Sequence, residues 1–312
     1  MYKMILVTTP IEKNHTNEPS KRILLGEWCN IYDHKIYQSN SSDQIIKYHW
    51  SSEKQYFEDW NRIVTFYEKY LIKLSNILNQ ILKKNLSTKC WELIIGYWLI
   101  QFIGIVFDRY YSLLKAYEFD KDLVTIDYEN INSSLLINFS SNSGQLFSND
   151  IWNYKIYRQI INISKKINFK KIKVNKIRYS LIENLDNNFD NSKVLKRSSK
   201  LYLKNVIGSL IYPLAKSNNI FLYNALPVKW QLLLYLKLKN IPTINFIPSF
   251  FKFQSNYGIR ENLLNNFNHE NDFEYVLNNL ISKSLPLSYL EGFDYIYKIV
   301  DKLKLPKNPN II

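Results

Sequence analysis

Glycine, cysteine and histidine are scarce in this chain of 312 residues. With only seven glycines, the chain shows no glycine-rich phosphate-binding loop of the P-loop or dinucleotide-binding type. The four histidines show no metal-ligand spacing, so we expect no metal site. The two cysteines, Cys29 and Cys90, provide no disulfide framework, and we interpret both as reduced, buried thiols of a cytoplasmic protein.

Long apolar runs are also lacking. No apolar run reaches the roughly 20 residues that a membrane-spanning helix needs, and the N-terminus lacks a signal-peptide pattern. We therefore expect a cytoplasmic protein that could still touch the inner face of a membrane.

The net charge of +14 is concentrated in residues 151–260, where 20 Lys and Arg face three acidic residues. This basic region could attract nucleic acid, anionic lipid or a phosphorylated substrate, or it could be solvated surface. Nucleic acid is the weakest of these partners because no nucleic-acid-binding motif is present.

The longest apolar stretch runs from Leu93 to Phe107. Its length favours a core helix buried on every side over a membrane span. The helix before it begins after a serine pair and carries apolar residues at alternating spacings of three and four. Because the link between them is short, the pattern predicts an antiparallel helical hairpin over residues 51–118, in which Gly96 and Gly104 allow close backbone approach.

Strand-like and helix-like stretches alternate over the rest of the chain, which predicts an α/β fold with a doubly wound parallel sheet. Residues 164–179 could be either an exposed strand or an irregular linker. The predicted strands are residues 3–8, 22–25, 123–126, 220–223 and 243–246. The predicted helices outside the hairpin begin near residue 151 and cover residues 200–216, 227–239, 273–280 and 289–304.

Three groups of residues are candidates for a functional site. Glu27 follows Gly26 at the end of a strand, where it could bind sugar hydroxyls, act as a base or cap a helix. His49 lies between two aromatic residues and could either titrate near neutral pH or be structural. Asp108 and Arg109 follow the apolar stretch, where Arg109 could bind a phosphate or carboxylate, or pair internally with Asp108 or Glu27.

These groups together resemble a family of transferases associated with bacterial surface-polysaccharide (O-antigen) gene clusters. The order and approximate spacing agree over essentially the whole chain. The residues that carry the resemblance are Leu25-Gly26-Glu27-Trp28-Cys29, Tyr48-His49-Trp50, Ile95-Gly96-Tyr97-Trp98-Leu99, Phe107-Asp108-Arg109 and Leu305-Pro306-Lys307-Asn308-Pro309.

The family is similar to two-lobed glycosyltransferases of the GT-B type. The resemblance implies that residues 1–305 form one acceptor-side lobe and that residues 306–312 begin a second lobe. A nucleotide-sugar donor would bind that second lobe, so no cofactor is expected in this chain, which should be inactive alone. The implied partners are a glycan or lipid-linked acceptor, a separately encoded second lobe and an anionic membrane surface.

If the chain is such an acceptor-side lobe, we expect the candidate residues to line its cleft. His49 or Glu27 would deprotonate the acceptor hydroxyl, and Asp108 would complete the catalytic group. Arg109 would bind phosphate or carboxylate, and the substrate-binding aromatic residues would be Trp28, Tyr48, Trp50 and Trp98. The alternatives are a non-catalytic binding or assembly protein of the same pathway or, with less support, a basic nucleic-acid-binding protein.

Overall fold

The computed structural model describes residues 4–13, 22–30, 44–140, 143–174, 230 and 253–302. Apart from the helical residue Trp230, the predicted elements within residues 200–246 lie outside this described part, as does the predicted start of a second lobe at residues 306–312. The chain divides into two compact units, Met1–Asp186 with Phe253–Gly292, and Asn187–Lys252 with Phe293–Ile312.

The first unit contains a five-stranded sheet in which every strand is parallel. The strand order is β3-β2-β1-β4-β5. The central strand places Leu6 opposite Ile23 of β2 on one side and opposite Thr125 of β4 on the other. This sheet confirms the predicted α/β class. The strands are β1 (Ile5–Val7), β2 (Arg22–Leu24), β3 (Gln44–Ile45), β4 (Val124–Tyr128) and β5 (Lys170–Val174).

The two edge strands have weak sequence signals. The sequence left the region of β5 undecided, and β5 proves to be a mostly exposed edge strand in which lysines alternate with isoleucine and valine. Lysine on an edge strand discourages pairing with another chain. At the opposite edge, β3 has two exposed residues and is not among the predicted strands.

Helices connect the strands and cover the sheet. The helices of the first unit are α1 (Pro10–Lys13), α2 (Glu53–Leu82), α3 (Thr88–Phe119), α4 (Ser143–Phe147), α5 (Asp150–Ile163), α6 (Tyr257–Asn265) and α7 (Asp272–Ser284). Short 3₁₀ helices form at Glu27–Asn30 and Leu287–Tyr289. The second unit contributes α8 (Phe293–Lys302) to the described residues.

The two long helices α2 and α3 pack together in opposite directions. Near the link, the Asn79 amide oxygen accepts hydrogen bonds from the Trp91 indole and the Leu86 backbone. Midway along, a Cβ on Gly96 would lie 2.8 Å from the Tyr67 hydroxyl, so this glycine leaves room for the end of the tyrosine side chain. A Cβ on Gly104 would have no atom of the described residues within 4 Å.

The burial of α3 is one-sided, whereas the sequence predicted burial on every side. Trp91, Trp98 and Phe102 are fully buried, but Leu93 and Tyr97 face solvent. Within the described residues, α3 is the one helix whose length and composition would allow it to cross a membrane, and half of its apolar window is buried in protein. The helix extends past the apolar stretch to Phe119, within one residue of the predicted end of the hairpin.

The apolar stripe predicted for α2 is buried only in its second half. Leu71, Leu74 and Leu78 pack inward, whereas Phe57 and Trp60 are about half exposed. Of the two free cysteines, Cys29 is buried as predicted, but Cys90 is only half-buried.

Candidate functional site

The candidate residues gather at one edge of the sheet. The segments that begin with Thr8, Gly26 and Tyr48 follow β1, β2 and β3 respectively. Because these strands are parallel, the three segments leave the sheet at the same, carboxyl edge. The chain order reverses between β1 and β4, and ligands of open α/β sheets bind in the crevice outside the strand ends at such a reversal.

The segment after β2 folds back on itself. A Cβ on Gly26 would lie 2.1 Å from the Trp28 ring, so only glycine permits this close approach. The Trp28 indole N–H donates to the Thr8 carbonyl oxygen at 3.1 Å, which fixes the ring beside the end of β1. Glu27 lies at the start of the 3₁₀ helix and is exposed.

Asp108 of α3 is the centre of a buried polar cluster. Its carboxylate accepts a hydrogen bond from the Tyr48 hydroxyl at 2.5 Å and lies 2.9 Å from His49 Nε2. It also forms an ion pair with Arg109. Burial alone would raise the pKa of Asp108, but the hydrogen bond from His49, the charge of Arg109 and the hydrogen bond from Tyr48 lower it below its usual value. Because the ionised carboxylate only accepts hydrogen bonds, His49 Nε2 must carry the proton between them.

The Tyr48 phenol stays protonated in this cluster. Its pKa is raised by burial first, and then by the neighbouring charge and hydrogen bond of Asp108. The phenol is therefore a fixed hydrogen-bond donor, since it cannot lose its proton at neutral pH.

The second nitrogen of His49 faces another buried carboxylate. His49 Nδ1 is buried, has no hydrogen-bond partner among the described residues and lies 3.9 Å from Asp59 Oδ2. Asp59 accepts hydrogen bonds from the side chains of Trp50 at 3.1 Å, Gln55 at 3.0 Å and Arg62 at 2.9 Å. The sequence analysis missed Asp59. Its spacing before Arg62, at positions i and i+3 of a helix, was the available signal.

Arg109 joins α3 to α5. Its Nε and one terminal nitrogen donate to the Asn153 side-chain oxygen at 3.2 and 3.0 Å, and its guanidinium lies 5.7 Å from the Tyr157 ring centre. Burial would lower the pKa of Arg109, but the neighbouring Tyr157 and Asp108 raise it overall. Of the alternatives that the sequence left open for Arg109, the internal pair with Asp108 is the one observed.

An aromatic wall lies beside this cluster. The ring of Trp28 contacts Tyr48 at 5.4 Å, Tyr48 contacts Trp50 at 5.9 Å, and Trp50 contacts His49 at 4.6 Å between ring centres. Trp98 lies elsewhere in α3, where it is 1% exposed and stacks on Phe102 in the core.

The structure thus brings six of the eight predicted site residues into one connected group. Trp98 is not part of this group, and the described contacts include no hydrogen bond or ion pair between Glu27 and its members. The six connected residues are Trp28, Tyr48, His49, Trp50, Asp108 and Arg109.

Glu12 is a further buried carboxyl group at this edge, and like Asp59 it was not predicted from the sequence. One of its oxygens accepts hydrogen bonds from the Thr8 backbone at 2.7 Å, the Thr8 hydroxyl at 2.5 Å and the Thr9 backbone at 2.9 Å. Burial, partly offset by these hydrogen bonds, raises the pKa of Glu12 to about 7. The sequence Thr9-Pro10-Ile11-Glu12 has the capping-box spacing, with proline at the first helical position, and could have revealed it.

The described residues contain no group of three His, Cys, Asp or Glu side chains that could hold a metal ion. The groups that the described part of this edge offers are an exposed carboxylate, a histidine–carboxylate pair and an aromatic wall.

Comparison with known proteins identifies a family. A family model described as LIC12162 family transferase matches residues 4–312. No curated protein and no solved structure gives a significant match.

Proposed function

The chain belongs to the LIC12162 family of transferases, and on that premise we propose that it is the acceptor-side lobe of a glycosyltransferase of surface-polysaccharide or lipopolysaccharide synthesis. The observation that carries this proposal is the convergence of Tyr48 and His49 on Asp108, about sixty residues away in the chain, at the carboxyl edge of the sheet. Aromatic side chains border this cluster, and their flat faces suit the C–H faces of sugar rings.

Glu27 is the better candidate for the base that deprotonates the acceptor hydroxyl. Its carboxylate is exposed, so an acceptor can reach it. In contrast, His49 Nε2 is engaged by Asp108 and Nδ1 is buried. In this proposal His49 and Asp108 are positioning residues that hold Tyr48 and the aromatic wall, while Glu27 takes the proton of the acceptor hydroxyl. The acceptor oxygen bonds to the anomeric carbon of the donor as the bond from that carbon to the phosphate oxygen breaks, and the nucleotide leaves with the electron pair of that bond.

The proposal includes the wider architecture. The sheet would be a doubly wound GT-B-like lobe, with α2 and α3 inserted between β3 and β4. A nucleotide-sugar donor would bind a second lobe, so the acceptor-side lobe would not turn over a donor alone. The lobe would act in the cytoplasm, near the inner face of the membrane, on a glycan or lipid-linked acceptor.

The test is a nucleotide-release assay with UDP-, GDP- and CMP-activated sugars and a surface-polysaccharide acceptor. The chain is assayed alone and with the C-terminal half of a full-length family member. We expect release only with both halves, and a loss of about a hundredfold or more with Glu27→Gln, the usual range for losing a general base. Glu68→Gln, which removes an exposed carboxylate on α2, is the matched control.

Turnover by the chain alone would refute the acceptor-lobe proposal. Full activity of Glu27→Gln would show that Glu27 is not the base that deprotonates the acceptor hydroxyl. A large fall in the melting temperature of Glu27→Gln would show that its carboxylate is structural instead.

A non-catalytic binding or assembly role is the second candidate. It is favoured by the buried cluster itself, because Asp108, Arg109 and Tyr48 satisfy one another rather than pointing towards solvent. Acceptor binding without donor turnover in every pairing of halves would select this role. Binding to an oligonucleotide that weakens steeply with salt would instead indicate the less supported nucleic-acid role of the basic region.

A further inference from the structure

One side of α3 presents apolar side chains to solvent. Leu93 is 81% exposed, and Tyr97, one turn later, is 73% exposed. Ile100 and Gly104 continue the same side of the helix and are half-buried. A Cβ on Gly104 would touch none of the described atoms within 4 Å, so this side of the helix is open as far as Gly104.

Residues 83–92, which comprise the link between α2 and α3 and the start of α3, form a basic segment before this apolar side, here called the basic link. Residues 83–92 contain three lysines and one acidic residue, Glu92. Lys83 is exposed, and the Lys89 side chain is 79% exposed. Glu92 lies 3.3 Å from Lys89 and offsets part of its charge, which leaves a local net charge of +2 from the three lysines and one glutamate.

The other side of α3 is committed to the protein core. Trp91, Trp98 and Phe102 are fully buried, and Asp108 is held in the polar cluster next to His49. Moving this helix into a bilayer would expose the Asp108 ion pair to hydrocarbon, which is costly. A contact between α3 and lipid is therefore limited to its open side.

We propose that the basic link and the Leu93–Tyr97 side of α3 form a docking surface for an anionic lipid membrane. Charge complementarity selects this occupant, because lysines lie next to exposed apolar side chains and anionic headgroups surround an apolar layer. Leu93 enters the acyl boundary, Tyr97 lies at the headgroup level, and the lysines contact lipid phosphates. The proposal does not depend on sugar transfer.

The test is sedimentation of the full chain with vesicles of phosphatidylcholine alone or of phosphatidylcholine mixed with phosphatidylglycerol. We expect binding to the mixed vesicles only, weakening as salt is raised. Replacing Lys83, Lys84 and Lys89 together by glutamine should weaken binding by at least about tenfold, given the contribution of each lysine near an anionic surface. Leu93→Ser combined with Tyr97→Ser should weaken it by roughly tenfold.

Tyr257→Ser is the matched control, because this tyrosine of α6 is also 81% exposed but lies on another helix. It should bind vesicles like the wild type, and melting temperatures show that each variant is folded. The proposal is overturned if the chain ignores anionic vesicles or if the α3 variants bind as well as the control. A dimer in solution that the Leu93 and Tyr97 changes dissociate, without vesicle binding, would overturn it in favour of a second copy of the chain.

Discussion

The buried carboxyl group of Glu12 makes the stability of this protein depend on pH in a calculable way. Its pKa is raised from 4.5 to about 7 in the folded chain, chiefly by burial. A raised pKa means that the folded state favours the protonated carboxyl. The stability that this group contributes is therefore fully present below its unfolded pKa and is lost as the pH rises towards 7.

The magnitude follows from the size of that difference. A rise from 4.5 to about 7 corresponds to about 3 kcal/mol lost once both states are ionised, at 1.36 kcal/mol per pKa unit. The Glu12→Gln variant keeps an oxygen that can accept from Thr8 and Thr9 but carries no charge. Its melting temperature should therefore gain about 6 °C or more over the wild type between about pH 5 and about pH 8, using the usual shift per kcal/mol for a domain of this size.

The assay is thermal unfolding of both proteins at the two pH values, followed by circular dichroism. Other titrating groups are common to both proteins and cancel in the difference. Glu53→Gln, which removes an exposed carboxylate, should show no such pH dependence. A Glu12→Gln difference that is equal at both pH values would refute the reasoning. A difference of the opposite sign would show that the Thr8 and Thr9 hydrogen bonds outweigh burial.

Three further predictions concern the stability of the chain. Gly26→Ala should lower the free energy of unfolding by about 1–3 kcal/mol because the Trp28 ring must move. Gly104→Ala is the control and should be neutral or stabilising, because the added Cβ meets no described atom. Urea unfolding measures both. Asp108→Asn should lower stability by about 3 kcal/mol because Arg109 loses its buried partner, and an unchanged midpoint would contradict the polar cluster. Arg260→Ala should cost about 3–5 kcal/mol, since it breaks a buried pair with Glu291, while Lys54→Ala at the exposed pair with Glu58 should cost almost nothing.

The sequence predicted the sheet well where strands are buried. β1, β2 and β4 are short apolar runs bounded by polar residues, and each was located within about two residues. By contrast, β3 consists of two exposed residues, so no burial pattern marks it. Such an edge strand is defined by its hydrogen bonds to β2, which a single sequence does not reveal.

The burial of the apolar residues of α2 differs from the prediction because α2 has a second neighbouring helix. The apolar residues of α2, at alternating spacings of three and four, suggested contact with one partner helix, α3. In the structure α2 also packs against α7, where the Tyr70 hydroxyl donates to Asn278 at 2.6 Å and Lys69 pairs with Glu274. Tyr70 is buried at this second contact, whereas Phe57, near the start of α2, is exposed.

The candidate site was predictable to the extent that strand-end logic applies. This logic applied to Glu27, which follows β2, but not to Tyr48 and His49, because β3 was not predicted. The structure places Tyr48 and His49 beside Asp108. Asp59 and Glu12 were missed because their importance comes from burial, which depends on the packing of neighbouring elements. The catalytic and binding roles of all these residues stay predictions.

The most direct test of an acceptor site at the carboxyl edge is fluorine NMR of the chain labelled with 5-fluorotryptophan. Each resonance is assigned by single Trp→Phe replacement, and the protein is titrated with an oligosaccharide from the surface polysaccharide. The account predicts that the resonances of Trp28 and Trp50 shift with the added sugar while that of the buried Trp98 does not. Shifts confined to other tryptophans, or none at saturating sugar, would contradict it.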